Sequence, residues 1–377
     1  MHDVIIIGAG IIGLIAAKKL AESGENILIV DHSSQPIPWQ ECPKPSGRIH
    51  AYNSTSIDFL KQLEIWQKLP QDSKYNFNGM TVLGKSNEIS LGSENMGSFV
   101  ASTAIISCLI SELSALPNVK IIWQCQISKI TQALDLVTLN TNHGKLRASL
   151  VVAADGARSW TRQQLGIDTK VYNYQQKCFV GFVKFSGQHQ QIAWQQFIDQ
   201  GTFGLLPFGD NYYSLALSVK NNIADQLNQE NIIDYINKLN KPSYIKNFSS
   251  ITRCQSFPLY AVHASKYFAN RIVLVGDAAH AIHPLAGLGL NLGIADIIAL
   301  SAICNNISLV SKNELEHYSD LKYRTNKQIM DGLTFMQQNF AKDLFNPLLK
   351  VAETKAIKGA LAAIANQTPI FKALYEQ

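Results

Sequence analysis

Short apolar runs that end in glycine or aspartate recur along the chain and predict strands of a parallel sheet. The first run covers 4–7, and the second covers 26–30 and ends at Asp31. Runs of this kind, without polar alternation, are typical of strands that are buried on both faces. Between them, 14–23 is rich in alanine, leucine and lysine, which predicts a helix that Gly24 ends. The predicted order is strand, turn, helix, strand and acid.

The turn between the first strand and the helix reads GAGIIG. We expect Gly8 to permit a tight turn, Gly10 to let the backbone approach a pyrophosphate, and Gly13 to let the helix pack against the strand. The helix N-terminus offers unpaired N–H groups to phosphates. Asp31 is placed to bind ribose hydroxyls and to disfavour a 2′-phosphate. The motif predicts a dinucleotide site, with a generic βαβ unit as the alternative, and does not by itself separate FAD from NAD.

Two later apolar runs also end in turns that contain glycine and aspartate. One leads into Asp155 and Gly156, and the other leads into Gly276 and Asp277. A glycine-rich segment follows the second turn and opens a long apolar helix that continues through Leu300.

In this order, the three motifs resemble those of the group A flavin monooxygenases, and most closely those of the ubiquinone-biosynthesis aromatic hydroxylases. The likeness extends over most of the chain and includes Gly47 and Arg48 before a helix, and the segment 202–218. The resemblance implies a fold like that of p-hydroxybenzoate hydroxylase. This is an α/β protein with a Rossmann-type FAD-binding domain, an inserted β-sheet substrate domain and a C-terminal helical tail. It also implies FAD as the cofactor and NAD(P)H as the reductant, which binds transiently because the chain has no second glycine fingerprint.

The resemblance gives single residues a role in the cofactor site, and some of these roles have a structural alternative. Asp277 is expected to accept hydrogen bonds from ribityl hydroxyls, and its alternative is to cap the following turn. Arg48 is expected to contact FAD, and its alternative is a solvated surface charge. The residues that we expect to hold the cofactor are Gly8, Gly10, Gly13, Asp31, Arg48, Asp155, Gly276, Asp277, Gly287, Gly289, Leu290 and Asn291.

The segment after Asp277 is expected to surround the flavin ring. Pro284 and the glycines beside it allow close approach to a flat ring, and Pro284 is our one candidate for the reaction pocket, without an acid–base role. Backbone N–H groups of Gly289, Leu290 and Asn291 lie at a helix start, where they can stabilise negative charge on a reduced flavin. A glycine-rich turn in a packed core is the alternative. His280 and His283 have no partner at ligand spacing, so we predict no metal site.

Three positions depart from the family pattern that the chain resembles. The family's glutamine after Ala-Gly is Leu288, its Glu-Asn pair reads Ala101-Ser102, and a glutamine that contacts the pyrophosphate falls near Ile106. These changes remove side-chain contacts and leave the backbone cradle. We therefore expect Leu288→Gln to tighten FAD binding or to improve coupling.

The family pattern also predicts how the chain divides into domains. The predicted regions are a FAD-binding domain at 1–71, 100–173 and 261–330, a substrate domain at 72–99 and 174–260, and a C-terminal helical region at 331–377. Alternating polar and apolar residues predict antiparallel strands at 178–185, 191–198, 204–207 and 212–219. Candidates for an aromatic pocket, most of which we interpret as core, are Phe197, Phe203, Leu205, Phe208 and Tyr213.

Composition narrows the class of protein. Of the 377 residues, 46% are hydrophobic and 16% are charged, and the net charge is only +5, which does not favour nucleic-acid binding. The six cysteines contain no CxxC pair, which excludes a zinc ribbon or thioredoxin-type motif and is typical of a reduced, cytoplasmic protein. No basic segment precedes the first apolar run, and no apolar run approaches the roughly 20 residues that a membrane helix needs.

The tail 340–377 alternates apolar residues with lysines in a helical pattern. Such a segment lies on an anionic membrane or packs against the protein itself or a second subunit, and we favour packing. A peripheral position on the inner membrane face, membership of a biosynthetic complex and a homo-oligomer all stay open.

Three functions compete. The leading one is an FAD-dependent monooxygenase that uses NAD(P)H and O2, through a flavin C4a-hydroperoxide, to hydroxylate a polyprenylated phenol in ubiquinone biosynthesis, as the resemblance implies. The others are a flavin hydroxylase of another small aromatic compound, and a weakly catalytic FAD-binding subunit of a biosynthetic complex.

Overall fold

The computed structural model describes residues 1–42, 45, 47–84, 88–187, 190–209, 211–283, 287–304 and 310–339. Pro284, our candidate for the reaction pocket, and the tail 340–377 lie outside the described residues, so both stay predictions.

The strands, in chain order, are β1 (His2–Ile7), β2 (Ile27–Val30), β3 (Ile49–Asn53), β4 (Lys74–Leu83), β5 (Glu88–Ala101), β6 (Val119–Ile122), β7 (Ile127–Gln132), β8 (Val137–Thr141), β9 (Gly144–Ala153), β10 (Thr169–Phe185), β11 (Ile192–Ile198), β12 (Gly201–Pro207), β13 (Tyr212–Lys220), β14 (Phe248–Ala264), β15 (Phe268–Ala269), β16 (Ile272–Leu274) and β17 (His280–Ala281). The α-helices are α1 (Ile11–Ala21), α2 (Ser54–Gln62), α3 (Ser102–Ser114), α4 (Trp160–Gln164), α5 (Asn221–Ala224), α6 (Ile232–Lys238), α7 (Leu288–Ile303) and α8 (Lys312–Asn339).

The first sheet contains the strands that the apolar runs predict. Its described strands follow the order β15-β16-β9-β1-β2-β6, and β8 and β7 continue from the first half of β9. The pairs from β16 to β6 are parallel. The middle strand β1 is fully buried at Val4, Ile5 and Ile6, as expected of a strand in a parallel sheet that is covered on both faces. The strand–turn–helix–strand order and the α/β fold class are confirmed.

The second sheet is mostly antiparallel. Its described strands follow the order β17-β14-β10-β13-β12-β11-β4-β5-β3, and only β11 and β4 pair in parallel. The four strands predicted from alternation are present as β10 to β13. The strand β3 lies inside the predicted FAD-binding segment 1–71 and nevertheless pairs with β5 of this sheet. The predicted domain bounds remain a prediction.

Among the described helices, none is long and apolar enough to cross a membrane. The longest, α8, has a largely polar sequence and packs against α7.

The glycine turn has the close packing that its sequence predicts. Gly8 has φ +107°, a left-handed conformation that favours glycine, and a Cβ there would lie 2.5 Å from the carbonyl oxygen of Ala154. A Cβ on Gly13 would overlap the carbonyl oxygen of Gly8, so α1 lies directly on the turn. A Cβ on Gly10 would meet no atom within 4 Å. Two of the glycines are therefore required by the fold, and Gly10 faces open space.

This difference predicts opposite results for two alanine substitutions. Gly13→Ala forces α1 away from the turn, and we expect it to lower the free energy of unfolding by about 1–3 kcal/mol. Gly10→Ala is the matched control and should change it by less than about 1 kcal/mol. Chemical denaturation of both variants measures the effect, and equal losses would contradict the packing described above.

Candidate active site

One cavity of about 1040 Å³ lies between the two sheets. It extends from Gly10 and the start of α1, past the start of α7, to the face of the second sheet that includes Trp194 and Leu206. Small-molecule pockets commonly hold roughly 300–1,000 Å³, so the cavity has room for a large cofactor together with a substrate.

The charged side chains on the described part of the cavity wall are mostly cationic. They are Arg48, Arg158, Arg253 and Asp277. This balance suits a ligand that carries phosphates.

Asp31 holds the glycine turn in shape. Its carboxylate accepts hydrogen bonds from the backbone N–H of Ala9 and from that of Ser33, each at 2.7 Å. The side chain is 13% exposed, so part of the carboxylate remains accessible. The ribose contact that we predicted for Asp31 stays a prediction, and the contact with Ala9 is a second role that the motif did not reveal.

Arg48 lies on the cavity wall and is fixed through its backbone. Its N–H donates to Ser102 Oγ at 3.1 Å, and Ser102 N–H donates to the Arg48 carbonyl at 2.8 Å. Its guanidinium carbon lies 4.6 Å from the centre of the Phe257 ring, a cation–π contact. The residue is nevertheless exposed, and its predicted contact with FAD stays a prediction. Ser102, which we considered only as a lost contact, positions Arg48.

The Asp155 carboxylate is engaged by its own turn. It accepts hydrogen bonds from Ser159 Oγ at 2.6 Å and from Thr161 N–H at 2.9 Å at the start of α4. The next residues, from Gly156 to Arg158, line the cavity. Asp155 thus shapes the turn that reaches the cavity, and its predicted contact with the cofactor stays a prediction.

Arg162 joins the second and third motifs. It is 5% exposed, and its guanidinium donates to the carbonyl of Ala278 at 2.7 Å and to that of Ala157 at 3.0 Å. No local sequence pattern links Arg162 to Ala278, which lies 116 positions further along the chain, so the sequence alone does not predict the role of Arg162.

Asp277 faces into the cavity. It lies in a single 3₁₀ turn, Gly276–Ala278, which Val275 precedes without a side-chain cap. Its predicted contact with ribityl hydroxyls stays a prediction. The side chain is open to the cavity, yet protein surrounds it, and this burial raises the pKa of the carboxyl while His280 and Arg48 partly offset the rise. The carboxylate is placed to accept hydrogen bonds from a ligand.

The start of α7 is tied to β3. Gly287 has φ +63°, and a Cβ there would lie 3.1 Å from the Cβ of Ala51. The Asn291 side chain donates to the Ala51 carbonyl at 2.8 Å and to that of Gly287 at 3.2 Å, and it accepts from Asn53 N–H at 3.1 Å. We considered only the backbone of Asn291, whereas its buried amide holds the helix start.

The first N–H groups of α7 have no partner within the helix, and two of the residues that carry them, Gly289 and Leu290, line the cavity. The positive end of the helix dipole therefore points at the cavity wall. Such an end stabilises negative charge on a bound group.

A family model described as an FAD binding domain matches residues 1–331. The chain belongs to this family. FAD is accordingly its cofactor, and the first of the three motifs is the glycine fingerprint of a flavin site.

The chain is similar to two hydroxylases of ubiquinone chemistry. One is 3-demethoxyubiquinol 3-hydroxylase of Escherichia coli K12, at 29% identity over 358 residues that cover 91% of this chain and 90% of that protein. The other is ubiquinone hydroxylase UbiM of Neisseria meningitidis, at 26% identity over 392 residues that cover 99% of this chain and 83% of that protein.

Solved structures share the fold. The crystal structure of p-nitrophenol 4-monooxygenase PnpA from Pseudomonas putida DLL-E4 superposes with a TM-score of 0.77, at 18% identity, and covers 97% of this chain and 96% of that one.

At two of the positions that depart from the family, the side chains are apolar or small. Ile106 lines the cavity, and Ala101 precedes α3 without a side-chain cap. Leu288 is only 2% exposed and does not line the cavity, whereas its neighbours Gly287 and Gly289 do. A role for this position in FAD binding stays a prediction.

The pocket candidates of the second sheet face away from the cavity. Phe203 and Leu205 of β12 are core, whereas Thr202, Gly204 and Leu206 of the same strand line the cavity. Successive side chains of a strand point to opposite faces. Our interpretation of these candidates as core is correct, and the wall is formed by their neighbours.

Two histidines line the cavity in the neutral state at pH 7. Burial lowers the pKa of His283 to about 4, and burial and the nearby Arg48 lower that of His50 to about 4. His283 packs edge-on against Tyr174, with ring centres 4.8 Å apart. Among the described residues, no cluster of three or more His, Cys, Asp or Glu side chains is arranged to hold a metal ion.

Because Leu288 is buried, Leu288→Gln should act on stability instead of tightening FAD binding. An amide buried without partners is expected to lower the free energy of unfolding by about 1–3 kcal/mol. Leu288→Met, which keeps the apolar character, is the control. Denaturation curves of the protein without FAD separate the two, and a more stable glutamine variant would show that this site accepts a polar side chain.

The buried neutral histidines predict acid sensitivity. His50, His263 and His283 have pKa values of about 4 in the folded protein against 6.5 ordinarily, mainly because they are buried. As the pH falls from 6.5 to 4, the unfolded chain binds these protons and the folded protein does not, so stability is lost over that window. Thermal midpoints across the window measure the loss. His283→Gln should reduce it, and replacement of the exposed His143 should not; an unchanged profile for His283→Gln would contradict this assignment.

Proposed function

We propose that this chain is an FAD-dependent monooxygenase that hydroxylates the aromatic ring of a polyprenylated phenol in ubiquinone biosynthesis. The observation that carries the proposal is the cavity that joins the glycine turn and the start of α7 to a face of the second sheet with several aromatic side chains. The names of the relatives from Escherichia coli and Neisseria meningitidis support the substrate class.

The wall fits FAD. The open space at Gly10 leaves room for a pyrophosphate beside the N-terminus of α1, where N–H groups and the helix dipole favour phosphate. Arg48 and Arg158 supply positive charge on the same wall. In this proposal Asp277 binds ribityl hydroxyls, and the backbone N–H groups of Gly289 and Leu290 contact the flavin edge.

When bound, FAD supplies electron transfer from NAD(P)H to O2 and the insertion of one oxygen atom into the ring, with the other leaving as water. The chain contributes binding, orientation and exclusion of water. The N–H groups at the start of α7 favour negative charge next to them. His50 and His283 stay neutral and so add no charge to the cavity. On the described part of the wall, Asp277 is the one carboxylate, so we assign no general base to the substrate end.

The substrate end of the cavity is suited to an apolar molecule. The wall there includes Phe77, Phe99, Phe182, Trp194 and Leu206; among the described residues, Arg253 and the uncharged polar side chains of Gln195 and Ser214 also belong to it. An isoprenoid tail gains about 0.8 kcal/mol for each buried CH₂ group, which dominates binding without ionic contacts.

A second candidate is an FAD-binding subunit of a biosynthetic complex with weak turnover. Ile106 and Ala101 favour it, because the polar side chains expected at these positions are missing. Peripheral attachment to a membrane or to such a complex depends partly on the tail 340–377, outside the described residues, and stays a proposal, as does a homo-oligomer.

The test joins cofactor binding with turnover. We expect the purified protein to show a flavin spectrum and to oxidise NAD(P)H faster with a polyprenylated phenol, with ¹⁸O from O2 in the product. Asp277→Ala should weaken FAD binding by about 1–3 kcal/mol through lost buried hydrogen bonds. The exposed Asp58 provides the matched control, Asp58→Ala, with unchanged affinity.

Two results would contradict the proposal. Bound FAD without hydroxylated product would favour the structural subunit. An unchanged affinity in Asp277→Ala would remove Asp277 from the cofactor site.

A further inference from the structure

A cluster of charged side chains is buried behind the turn that carries Asp277. Asp296 of α7 and His280 of β17 are fully buried, and Lys322 of α8 is 2% exposed. None of the three lines the cavity, and none is used by the function proposed above.

Asp296 is the centre of this cluster. Its Oδ2 accepts from the backbone N–H of Gly276 at 2.9 Å and, since a carboxylate can only accept, from Nε2–H of His280 at 2.6 Å. Its Oδ1 lies 3.2 Å from Nζ of Lys322 and accepts from Nδ2 of Asn326 at 3.3 Å. One carboxylate thus connects β17, α7 and α8 to the residue that precedes Asp277.

The carboxylate is ionised although it is buried. Burial favours the neutral acid, but the charges of His280 and Lys322, together with the hydrogen bonds from His280 and Gly276, outweigh it and lower the pKa of Asp296. Loss of the negative charge alone would leave Lys322 as an uncompensated buried cation, which is strongly destabilising.

Stability alone does not account for such a cluster. Well-packed apolar side chains of similar volume often stabilise a protein as much as a buried ion pair does. What apolar side chains cannot provide is an acceptor for the N–H of Gly276. Gly276 has φ +57°, and a Cβ on it would lie 3.3 Å from Ile12 of α1, so the turn is confined between α1 and α7. Asp296 holds the N–H of Gly276 at the start of this turn, and Arg162 holds the carbonyl of Ala278 at its end.

We propose that Asp296 is a positioning residue of the cofactor site, supported by His280 and Lys322, which holds the Gly276–Ala278 turn so that Asp277 faces the cavity. This proposal rests on the proposed function in one respect, the contact between Asp277 and FAD. Asp296 does not line the cavity, so it contacts neither FAD nor the substrate and acts through the turn.

The experiment is a double-mutant cycle on FAD affinity, measured by quenching of flavin fluorescence on titration with the protein freed of FAD. The charge-balanced variant D296L/K322M removes the ion pair and the acceptor for the N–H of Gly276 without leaving a lone buried charge. We expect it to unfold close to the wild-type midpoint and to bind FAD about 10-fold more weakly, the lower end of what loss of an outer-shell partner costs at metal sites. Added to Asp277→Ala, it should cause little further loss, because both changes act on the same contact.

A second pair of variants keeps the test decisive if D296L/K322M does not fold. His280→Gln retains an N–H donor for Asp296 and should retain FAD affinity, whereas His280→Leu should weaken it. Tyr318→Phe is the control: it removes a buried hydrogen bond from α8 to the Leu274 carbonyl (3.1 Å) and should lower stability without changing FAD affinity.

The outcomes separate the two proposals. Weaker binding in D277A with unchanged binding in D296L/K322M, or losses that add, would overturn the positioning role and leave the proposed function intact. Equal binding by His280→Gln and His280→Leu would overturn it as well. Unchanged binding in D277A itself would instead show that Asp277 does not contact FAD, and this result would overturn the positioning role as well.

Discussion

The contact between Gly13 and the Gly8 carbonyl is the constraint on which the cofactor site depends. It brings α1 directly onto the end of β1, so the N-terminus of the helix opens at the edge of the sheet. Asp31 then secures the turn through Ala9. Because these contacts occupy one side of the turn, the other side at Gly10 remains open, and a phosphate can approach the backbone there.

Around this turn, some charged side chains lie on the cavity wall and others lie buried behind it, and the two groups have different roles. The arginines and Asp277 lie on the cavity wall, where a ligand can meet them. Asp296 and Lys322 lie behind the wall, where they form a buried ion pair. Arg162 belongs to the second group because both of its acceptors are backbone carbonyls of the cofactor motifs. Buried charge thus orders the backbone, and accessible charge is left for binding.

Prediction from sequence succeeded where a short segment carries the full signal. The apolar runs, the glycine turn and the alternating strands are local patterns, and they identified both sheets as well as the family. It was less informative for side chains whose role depends on partners far along the chain. Ser102 and Asn291 each support a residue that is more than 50 positions away, Arg48 and Ala51 respectively. Leu288 is a further case: the family pattern predicts a position beside the flavin, whereas the side chain is buried and does not line the cavity.

The sequence by itself determined the α/β class, the dinucleotide turn and the likeness to flavin hydroxylases, because strand period, glycine placement and motif order are properties of neighbouring residues. Only the tertiary structure decided which face of β12 lines the cavity, since a shift of one residue exchanges the two faces of a strand. It also decided that Asp277 is open to the cavity while Asp296 is enclosed. Both are aspartates next to apolar residues, and only the helices that pack around them make one a candidate ligand and the other a buried anchor.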